Sequence, residues 1–386
     1  MKFNFDEIIP RKGTNSIKWD SADNEEVLPM WVSDMDFQTV PAVVEAIIKR
    51  AKHGIFGYTK ASEVYFDAVM SWYKKRYDFT IKKDYILHTI GVVPALTVII
   101  KALTESDDKV IIQTPVYNCF FSSVRNNGCI FETNELICKN GAYQIDYNDL
   151  EKKSSDPKTK LMLLCSPHNP VGRVWKHEEL KKIGEICLQN NVIVVSDEIH
   201  CDIVYQGHKH IPFASINDDF LQNSVTCSAP SKTFNLASIQ IANIIVANTD
   251  IRSKIRKALH ENEIHLINAF AAEALIAAYS EGEEWLDELK EYLYENYITL
   301  LNFFKQYLPH LKVFPLEATY LVWIDCSALK ITSKEIAKTL LEKGKLWIQS
   351  GDMYGAAGEG FIRINIGTQR ETLMKGLNII KEFLST

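Results

Sequence analysis

The stretch Ser228-Ala-Pro-Ser-Lys-Thr-Phe234 is the part of the chain from which its organisation is best understood, with Lys232 near its centre. It follows a short β-like run, residues 224–227, and precedes an apolar segment, so the lysine is predicted at a strand-to-loop turn. Lysine is rarely fully buried unless it is paired or chemically employed, and small neighbours suit a tight pocket. This setting favours a desolvated amine that can form a Schiff base. Taken alone, the pattern more often marks a solvated surface amine.

Short apolar strands alternate with helices through the middle of the chain. The predicted strands are Tyr85–Ile90, Lys109–Gln113, Lys160–Cys165, Val192–Asp197 and Ala242–Ala247. Nearly continuous apolar strands of this length indicate an α/β fold whose largely parallel sheet is covered on both faces. Ligands of such sheets bind beyond the carboxyl ends of the strands. Four polar or reactive residues fall there and are predicted to share one site: Tyr117, Asn169, Asp197 and Lys232.

A candidate anion site lies where the strand Tyr85–Ile90 meets the apolar helix Ala95–Leu103. The connection is Gly91-Val-Val-Pro94. A strand, a glycine and a helix start in succession direct free backbone N–H groups and the helix dipole at one spot. This order predicts a phosphate seat, although glycine at such junctions also serves purely steric needs.

Composition excludes several classes of protein. The 386 residues are 46% hydrophobic and 24% charged, with a net charge of −6, as in a soluble globular protein long enough to bury a large core. The absence of a basic stripe argues against a nucleic-acid partner. Eight scattered cysteines, no signal peptide and no bilayer-length apolar run predict a cytoplasmic protein that does not bind membranes. His200, His208 and His210 fit no standard zinc spacing, so no metal is expected.

The two ends of the chain are predicted to form a second domain. The N-terminal arm contains Leu28-Pro-Met-Trp-Val-Ser-Asp-Met-Asp-Phe37, predicted either to lie against a domain interface or to line a substrate entrance. Helices are predicted at Pro41–Ala51, Val64–Arg76, Lys176–Gln189, Ile251–Tyr279 and Glu283–Tyr307. From Leu311 the order strand, strand, helix, strand, strand, helix predicts a smaller α+β domain. We expect a large domain over residues 46–282 and a small domain formed by residues 1–45 together with 283–386.

The residues at the predicted sheet edge match the requirements of pyridoxal phosphate (PLP). This cofactor needs a lysine for its aldehyde, an acid for its pyridine nitrogen, a phosphate seat and a ring clamp. Asp197 can keep the ring nitrogen protonated, Asn169 can donate to the phenolic oxygen, and Tyr117 can stack on the ring. Each residue also has a purely structural interpretation: Asp197 as a turn or helix-capping residue, Asn169 as a turn residue before proline, and Tyr117 as a core aromatic.

Motifs along nearly the whole chain carry a family resemblance. They are GVVPAL (91–96), PVY (115–117), SPHNPVGRVW (166–175), SDEIH (196–200), APSKTFNLA (229–237), WLD (285–287), TYLVW (319–323) and GFIRIN (360–365), together with LPMWVSDMDF (28–37) and HGIFGYT (53–59). Together they resemble the fold-type I, PLP-dependent aminotransferase superfamily, and more narrowly its cystathionine β-lyase, or C–S lyase, group of MalY/PatB type. The resemblance implies a large domain with a mostly parallel seven-stranded sheet between helices, plus a smaller α+β domain.

The resemblance also implies roles for individual residues. Lys232 is similar to the lysine that carries the cofactor, and Arg363 to the arginine that grips the substrate carboxylate through its planar fork. The other implied cofactor contacts are Asp197, Asn169, Tyr117, His200, Ser231 and the amides of Val92 and Val93. Tyr58 is similar to a tyrosine that reaches the cofactor phosphate of the neighbouring subunit, which implies a homodimer with shared active sites. Asp36, in the arm, is expected to contact the substrate.

The implied reaction is an α,β-elimination on a sulfur-containing L-amino acid, which yields pyruvate, ammonia and a thiol. Lys232 would act as the general base on Cα, and Tyr117 would protonate the leaving sulfur. Gln240 stands where ordinary aminotransferases carry a phosphate-binding arginine, as expected of a lyase. Two alternatives remain open: an aminotransferase that uses the same residues, and a regulatory protein that uses the fold as a binding platform.

Overall fold

A computed structural model describes residues 2–139 and 141–385 of the chain. Met1, Asn140 and Thr386, which the predicted domain ranges include, lie outside the described residues. The strands are β1 (Leu28–Pro29), β2 (Ile86–Thr89), β3 (Lys109–Ile112), β4 (Ile130–Thr133), β5 (Ile137–Lys139), β6 (Ala142–Gln144), β7 (Thr159–Cys165), β8 (Ile193–Asp197), β9 (Ser224–Ser228), β10 (Ala242–Ile245), β11 (Lys312–Val313), β12 (Leu321–Asp325), β13 (Leu346–Trp347), β14 (Gln349–Ser350) and β15 (Phe361–Asn365).

Helices surround these strands. They are α1 (Ile17–Asp20), α2 (Pro41–His53), α3 (Glu63–Tyr77), α4 (Val92–Leu103), α5 (Cys119–Arg125), α6 (Tyr147–Ser154), α7 (His177–Gln189), α8 (Asp218–Gln222), α9 (Pro230–Thr233), α10 (Thr249–Glu261), α11 (Ala269–Glu281), α12 (Glu283–Tyr307), α13 (Ser333–Glu342) and α14 (Arg370–Leu384). None of the helices in the described ranges combines the length and the apolar character needed to cross a membrane.

The large sheet has seven strands in the order β2-β10-β9-β8-β7-β3-β4. Strands β9, β8, β7, β3 and β4 run parallel, and β10 is antiparallel to both of its neighbours. The prediction of a mostly parallel seven-stranded sheet in an α/β fold is therefore confirmed. Because the five parallel strands share a direction, the loops that follow them emerge at a common edge of the sheet.

Side chains of the central strands alternate between two cores, which explains why these strands are largely apolar. Along β7, Leu161 and Leu163 pack in the core that contains α4 and α10, whereas Met162 and Leu164 pack in the core that contains α7. A strand buried on both faces has few positions for a polar side chain before its end. Polar residues are therefore concentrated at the edge of the sheet.

A second, smaller sheet is formed by β11-β12-β15-β14, all antiparallel, and it packs with α12, α13 and α14 in a continuous core. The predicted α+β character of the C-terminal part is confirmed, with one strand more than predicted after α13. That extra strand, β13, pairs in parallel with β1 of the N-terminal arm. The pairing ties the two chain ends together, and the domain boundaries at residues 46 and 283 stay a prediction.

Two local predictions are corrected. The predicted helix Ile251–Tyr279 is interrupted between α10 and α11: Glu263 adopts a left-handed backbone, φ 57°, and Asn268 starts the next helix by accepting a hydrogen bond from the N–H of Phe270 at 2.9 Å. Asparagine at a helix start satisfies an N–H group that would otherwise lack a partner, so a break is favoured there. Lys232 lies on the short helix α9 rather than on an open turn.

The segment Trp31–Phe37, here called the arm segment, is held by side chains from distant parts of the chain. Asn235 donates to the carbonyls of Met35 and Phe37, at 2.9 Å each, and accepts from the N–H of Met35 at 3.0 Å. Asn365 at the end of β15 donates to the carbonyls of Val32 and Asp34 at 2.5 and 2.7 Å. The arm segment is therefore held by Asn235, which follows α9, and by Asn365, which ends β15 of the small sheet.

Candidate active site

A cavity of about 180 Å³ lies at the carboxyl edge of the large sheet. Eight of the residues predicted from the sequence line it: Val92, Val93, Tyr117, Asn169, Asp197, His200, Ser231 and Lys232. They come from the loops and helix starts that follow β2, β3, β7, β8 and β9. The structure thus brings together groups that are as much as 140 residues apart, as the rule for parallel sheets predicts.

Lys232 extends its amine into this cavity from α9. Its Nζ donates to the backbone oxygen of Ser33 at 2.6 Å and to the Oγ of Ser33 at 3.0 Å. The helix is fixed by the neighbouring Thr233, whose hydroxyl donates to Asp202 at 2.8 Å. Burial lowers the pKa of Lys232 to about 8, because desolvation disfavours the ammonium form. At pH 7 about a tenth of the Lys232 side chains therefore carry a neutral amine, far more than for a lysine of ordinary pKa.

Asp197 ends β8 with its carboxyl group buried in the cavity wall. One carboxyl oxygen, Oδ1, accepts a hydrogen bond from the N–H of Ile199 at 3.1 Å. Burial raises the pKa of Asp197 to about 7, from an ordinary 3.8. A buried carboxyl group with so little compensation is suited to a cationic or N–H partner inside the cavity.

The start of α4 supplies an anion seat. Gly91 precedes the helix, and among the described residues no side chain caps the N–H groups of its first turn, where Val92 and Val93 line the cavity. These N–H groups have no partner within the helix, and the helix dipole adds partial positive charge. A Cβ at position 91 would lie 3.3 Å from Cδ of Pro94, so glycine suits this close approach. Ser231 lines the same cavity and can add a hydroxyl.

Arg363 is buried beside the cavity and is connected to Asn169. Its Nη1 donates to Oδ1 of Asn169 at 3.0 Å, and its Nη2 donates to the backbone oxygen of Trp31 at 2.9 Å. Its guanidinium also lies 5.1 Å from the ring centre of Tyr354, a cation–π distance. Guanidinium has five N–H donors, so donors remain for an anionic ligand. Since Asn169 accepts through Oδ1, its amide N–H groups remain to donate into the cavity.

Tyr117 and His200 are both uncharged in this environment. Burial raises the pKa of Tyr117 well above its ordinary value, so the side chain keeps its hydroxyl proton. Burial lowers the pKa of His200 to about 3, so its imidazole is neutral. Nδ1 of His200 is buried and has no hydrogen-bond partner among the residues that the structure describes. It is therefore available to a ligand group.

The predicted contact between Asp36 and the substrate is corrected. One carboxyl oxygen of Asp36 accepts from Arg11 and Trp19, and the other accepts from Lys18, all at 2.8 Å. The side chain is 3% exposed and belongs to this buried ion cluster, outside the cavity. Its hydrogen-bonding capacity is used to fix the arm segment, so we assign Asp36 a structural role.

Tyr58 lies outside the cavity of its own chain. Its side chain is 96% exposed and lies on a surface with Phe56, Leu266 and Phe270. Its exposure leaves the ring accessible to a second copy of the chain. The described residues leave its predicted contact with a neighbouring subunit as a prediction.

Sequence reasoning missed two residues that contact Lys232 directly or through one hydrogen bond. Ser33 binds the amine, and Tyr320 donates to the backbone oxygen of Ser33 at 3.0 Å. Both lie inside motifs used for the family resemblance, but no local pattern connects either one to Lys232. Ser33 of the arm segment therefore lines the cavity, and the predicted role of this stretch at a substrate entrance stays a prediction.

The class I and II aminotransferase model matches residues 25–380 of the chain. The chain belongs to the class I and II aminotransferase family. It is 46% identical to the cystathionine β-lyase PatB of Bacillus subtilis, over 99% of this chain and 100% of that protein. The predicted family, including its cystathionine β-lyase branch, is therefore confirmed.

Solved structures of family members share the whole fold. Cystalysin from Treponema denticola, which contains a pyridoxal 5′-phosphate cofactor, is 36% identical with a TM-score of 0.96, over 100% of this chain and 99% of that chain. A PLP-bound putative aminotransferase from Clostridium difficile is 39% identical with a TM-score of 0.97, over 99% and 100% of the two chains.

The residues of the cavity fit the family cofactor. Asp197 is a buried carboxyl group with capacity for a ring N–H, and α4 begins with uncapped N–H groups that can bind a phosphate. Lys232 offers an amine with a lowered pKa, and Tyr117 offers a ring at the cavity wall. Each service that pyridoxal phosphate needs from a protein is therefore present in one cavity.

Proposed function

We propose that the protein is a PLP-dependent C–S β-lyase that converts sulfur-containing L-amino acids into pyruvate, ammonia and a thiol. The observation that carries this proposal is the convergence of Lys232, Asp197 and the Asn169–Arg363 pair on one cavity. The full-length similarity to a cystathionine β-lyase supports this choice of reaction within the family.

Pyridoxal phosphate would be held by Lys232, Asp197, Asn169, Tyr117 and the first turn of α4. When bound, it withdraws electron density from the substrate Cα and so acidifies the Cα–H bond. Asp197 holds the proton on the ring nitrogen, because a carboxylate beside a pyridinium favours the charged ring. Ser231 and His200 add contacts at the cavity wall.

The substrate is oriented by Arg363, whose free N–H donors bind the α-carboxylate. Asn169 keeps the guanidinium in place through the 3.0 Å hydrogen bond. The residue that would hold the cofactor therefore also positions the arginine that binds the substrate. Lys232, which has a pKa of about 8, takes the proton from Cα as its neutral amine. Tyr117 retains its proton at neutral pH and donates it to the departing sulfur. Water completes the reaction, since pyruvate gains the oxygen that replaces the amino group.

We also propose that the active form is a homodimer. Large hydrophobic side chains are exposed on α2, on the loop that contains Tyr58 and at Leu266: Val44, Ile48, Ile55, Phe56 and Leu266 are each at least 42% exposed. Exposed apolar groups of this size are typical of an interface between subunits. A partner copy would cover them and would bring its Tyr58 to the phosphate end of the cavity.

An aminotransferase is the second candidate, supported by the similarity to the Clostridium difficile protein. The same lysine could return the Cα proton to the cofactor instead of promoting loss of the sulfur group. The two reactions differ in their need for a keto acid. The regulatory alternative has no support beyond the fold.

The deciding experiment uses the purified protein reconstituted with pyridoxal phosphate. We expect a visible absorbance band that disappears on borohydride reduction, and pyruvate release from cystathionine without any added keto acid. Transfer of the amino group to a keto acid, with no pyruvate in its absence, would support the aminotransferase. A colourless protein that takes up no cofactor would contradict both.

A further inference from the structure

The amine of Lys232 donates hydrogen bonds to one residue of the arm segment. Within residues 2–139 and 141–385, the hydrogen-bond partners of its Nζ are the backbone oxygen of Ser33 at 2.6 Å and the hydroxyl of Ser33 at 3.0 Å. The two residues are 199 positions apart in the sequence. Both acceptors are uncharged and lie on the same residue. Together the backbone oxygen and the hydroxyl of Ser33 form one hydrogen-bonding site for the amine, here called the seat.

The seat is rigid because its surroundings are buried and hydrogen-bonded. Ser33 is 8% exposed, and the hydroxyl of Tyr320, a residue that is 1% exposed, donates to its backbone oxygen at 3.0 Å. The backbone oxygens of Trp31 and Val32 accept from Arg363 and Asn365 at 2.9 and 2.5 Å. The position of the Ser33 oxygens is therefore set by the fold and not by the flexible lysine.

We propose that Ser33 is a positioning residue that holds the amine of Lys232 while it carries the proton taken from the substrate Cα. This inference rests on the proposed function. When the Cα–H bond breaks, its electron pair stays on the substrate and the proton moves to Nζ, which then has three N–H bonds. Two of these match the two Ser33 oxygens, and the third remains for release of the proton.

Neutral acceptors suit this task better than a carboxylate in direct contact. The charged or titratable groups that face the amine come from several elements: Asp34, Cys119, Asp197, His200 and Arg363. Asp34, Asp197 and Cys119 favour the ammonium form, whereas Arg363 and, most of all, burial oppose it. Two neutral hydrogen bonds then stabilise the ammonium moderately, and the amine can accept and release a proton within the working pH range.

The test compares Ser33→Ala with Ser33→Thr, which keeps the hydroxyl. The first readout is capture of pyridoxal phosphate by the cofactor-free protein as a function of pH, followed by absorbance. Loss of the hydroxyl removes one acceptor from the ammonium, so the pH midpoint of capture should fall by about one unit in Ser33→Ala. The second readout is turnover of cystathionine, where kcat should fall about tenfold with KM nearly unchanged.

The two readouts separate positioning from general damage. Ser33→Ala should capture the cofactor at lower pH yet turn over more slowly, whereas a poorly folded protein would lose both abilities; Ser33→Thr should restore both values. If the wild-type protein releases no pyruvate, the proposed function fails, and the capture midpoint alone decides the role of Ser33. An unchanged midpoint and unchanged kcat in Ser33→Ala would overturn the inference while the proposed function stands.

A second variant guards against a folding failure of Ser33→Ala. Tyr320→Phe leaves Ser33 in place but removes the hydrogen bond that fixes its backbone oxygen. As in Ser33→Ala, the pH midpoint of cofactor capture and kcat should both fall, but by less. The expected fall in kcat is about threefold. Wild-type values for both readouts in Tyr320→Phe would overturn the proposed seat.

Discussion

At the scale of single residues, the cavity holds two groups whose pKa values burial displaces toward neutrality. The pKa of Lys232 falls to about 8, and that of Asp197 rises to about 7. Desolvation disfavours the charged form of each, which moves a base downward and an acid upward. Such displaced groups destabilise the cofactor-free protein, and they become useful only when a ligand supplies the missing partners.

The buried Asp197 carboxyl group predicts a pH dependence of stability in the cofactor-free protein. With a folded pKa of about 7 and an ordinary value of 3.8, the folded state binds the proton more tightly than the unfolded state does. Its stabilising contribution is present below pH 4 and is lost as the pH rises to about 7, by up to about 4 kcal/mol. We expect Asp197→Asn to remove this contribution, measured by urea unfolding at pH 5 and pH 8. Equal pH dependence of the two proteins would contradict the assignment.

Replacing Arg363 is predicted to weaken substrate binding even when the positive charge is kept. Arg363→Lys keeps the positive charge but loses the planar fork and the contact with Asn169. We expect KM for cystathionine to rise about tenfold or more, with a smaller change in kcat. Steady-state kinetics measure both constants. Arg125→Lys, at an exposed position on α5, is the matched control, and a KM change of equal size in both variants would move the carboxylate site elsewhere.

At the scale of elements, the arm segment is the part whose placement completes the site. None of its residues, Trp31–Phe37, belongs to a helix or strand, so its position depends on side chains that bind its backbone. Asn235 and Asn365 together provide five hydrogen bonds to it, and four of these go to backbone oxygens. The site therefore depends on an element that has little intrinsic structure of its own.

Asn235→Ala should reveal this dependence. The change removes three hydrogen bonds to Met35 and Phe37, and it leaves buried backbone groups without partners. We expect a loss of about 2–3 kcal/mol in the free energy of unfolding, together with reduced turnover. Denaturant unfolding provides the measurement. Asn190→Ala, which removes one hydrogen bond at the end of α7, is the control and should cost about 1 kcal/mol; equal losses would argue against the special role of Asn235.

At the scale of the whole molecule, the exposed surface around Tyr58 and the cavity lie apart within a single chain. The proposed dimer joins them, because each cavity would receive Tyr58 from the partner copy. A closed two-fold dimer then contains two sites, each built from both chains. Activity would be a property of the assembly.

Mixed dimers test this arrangement. Lys232→Ala and Tyr58→Ala should each be strongly impaired alone, but co-expression with different tags should yield hybrid dimers with one intact site. Random pairing makes half of the dimers hybrids, so the mixture should recover about a quarter of wild-type activity. The readout is pyruvate release by the purified mixture. Activity no higher than the average of the two variants would contradict sharing.

The order of secondary structure and the chemistry at the sheet edge follow from local sequence. Strands such as β7 and β8 are buried on both faces, so each is recognisable in the sequence as a mostly apolar run of five to seven residues. These apolar runs alternate with the helical segments. The polar residues after the strands, among them Asp197 and Asn169, could be assigned to one site since parallel strands end at one edge. The helix break before α11 was missed, because a capping asparagine carries a weaker signal than the apolar period around it.

The sequence by itself determined the fold class, the family and the group of residues that surround the cavity. Only the tertiary structure decided that Ser33 receives the amine of Lys232, that Asn169 holds Arg363, and that Asp36 is used in a buried ion cluster. Periodicity and motifs report on neighbours along the chain, whereas these contacts join residues 17 to 199 positions apart. Their partners are selected by packing, which no short stretch of sequence records.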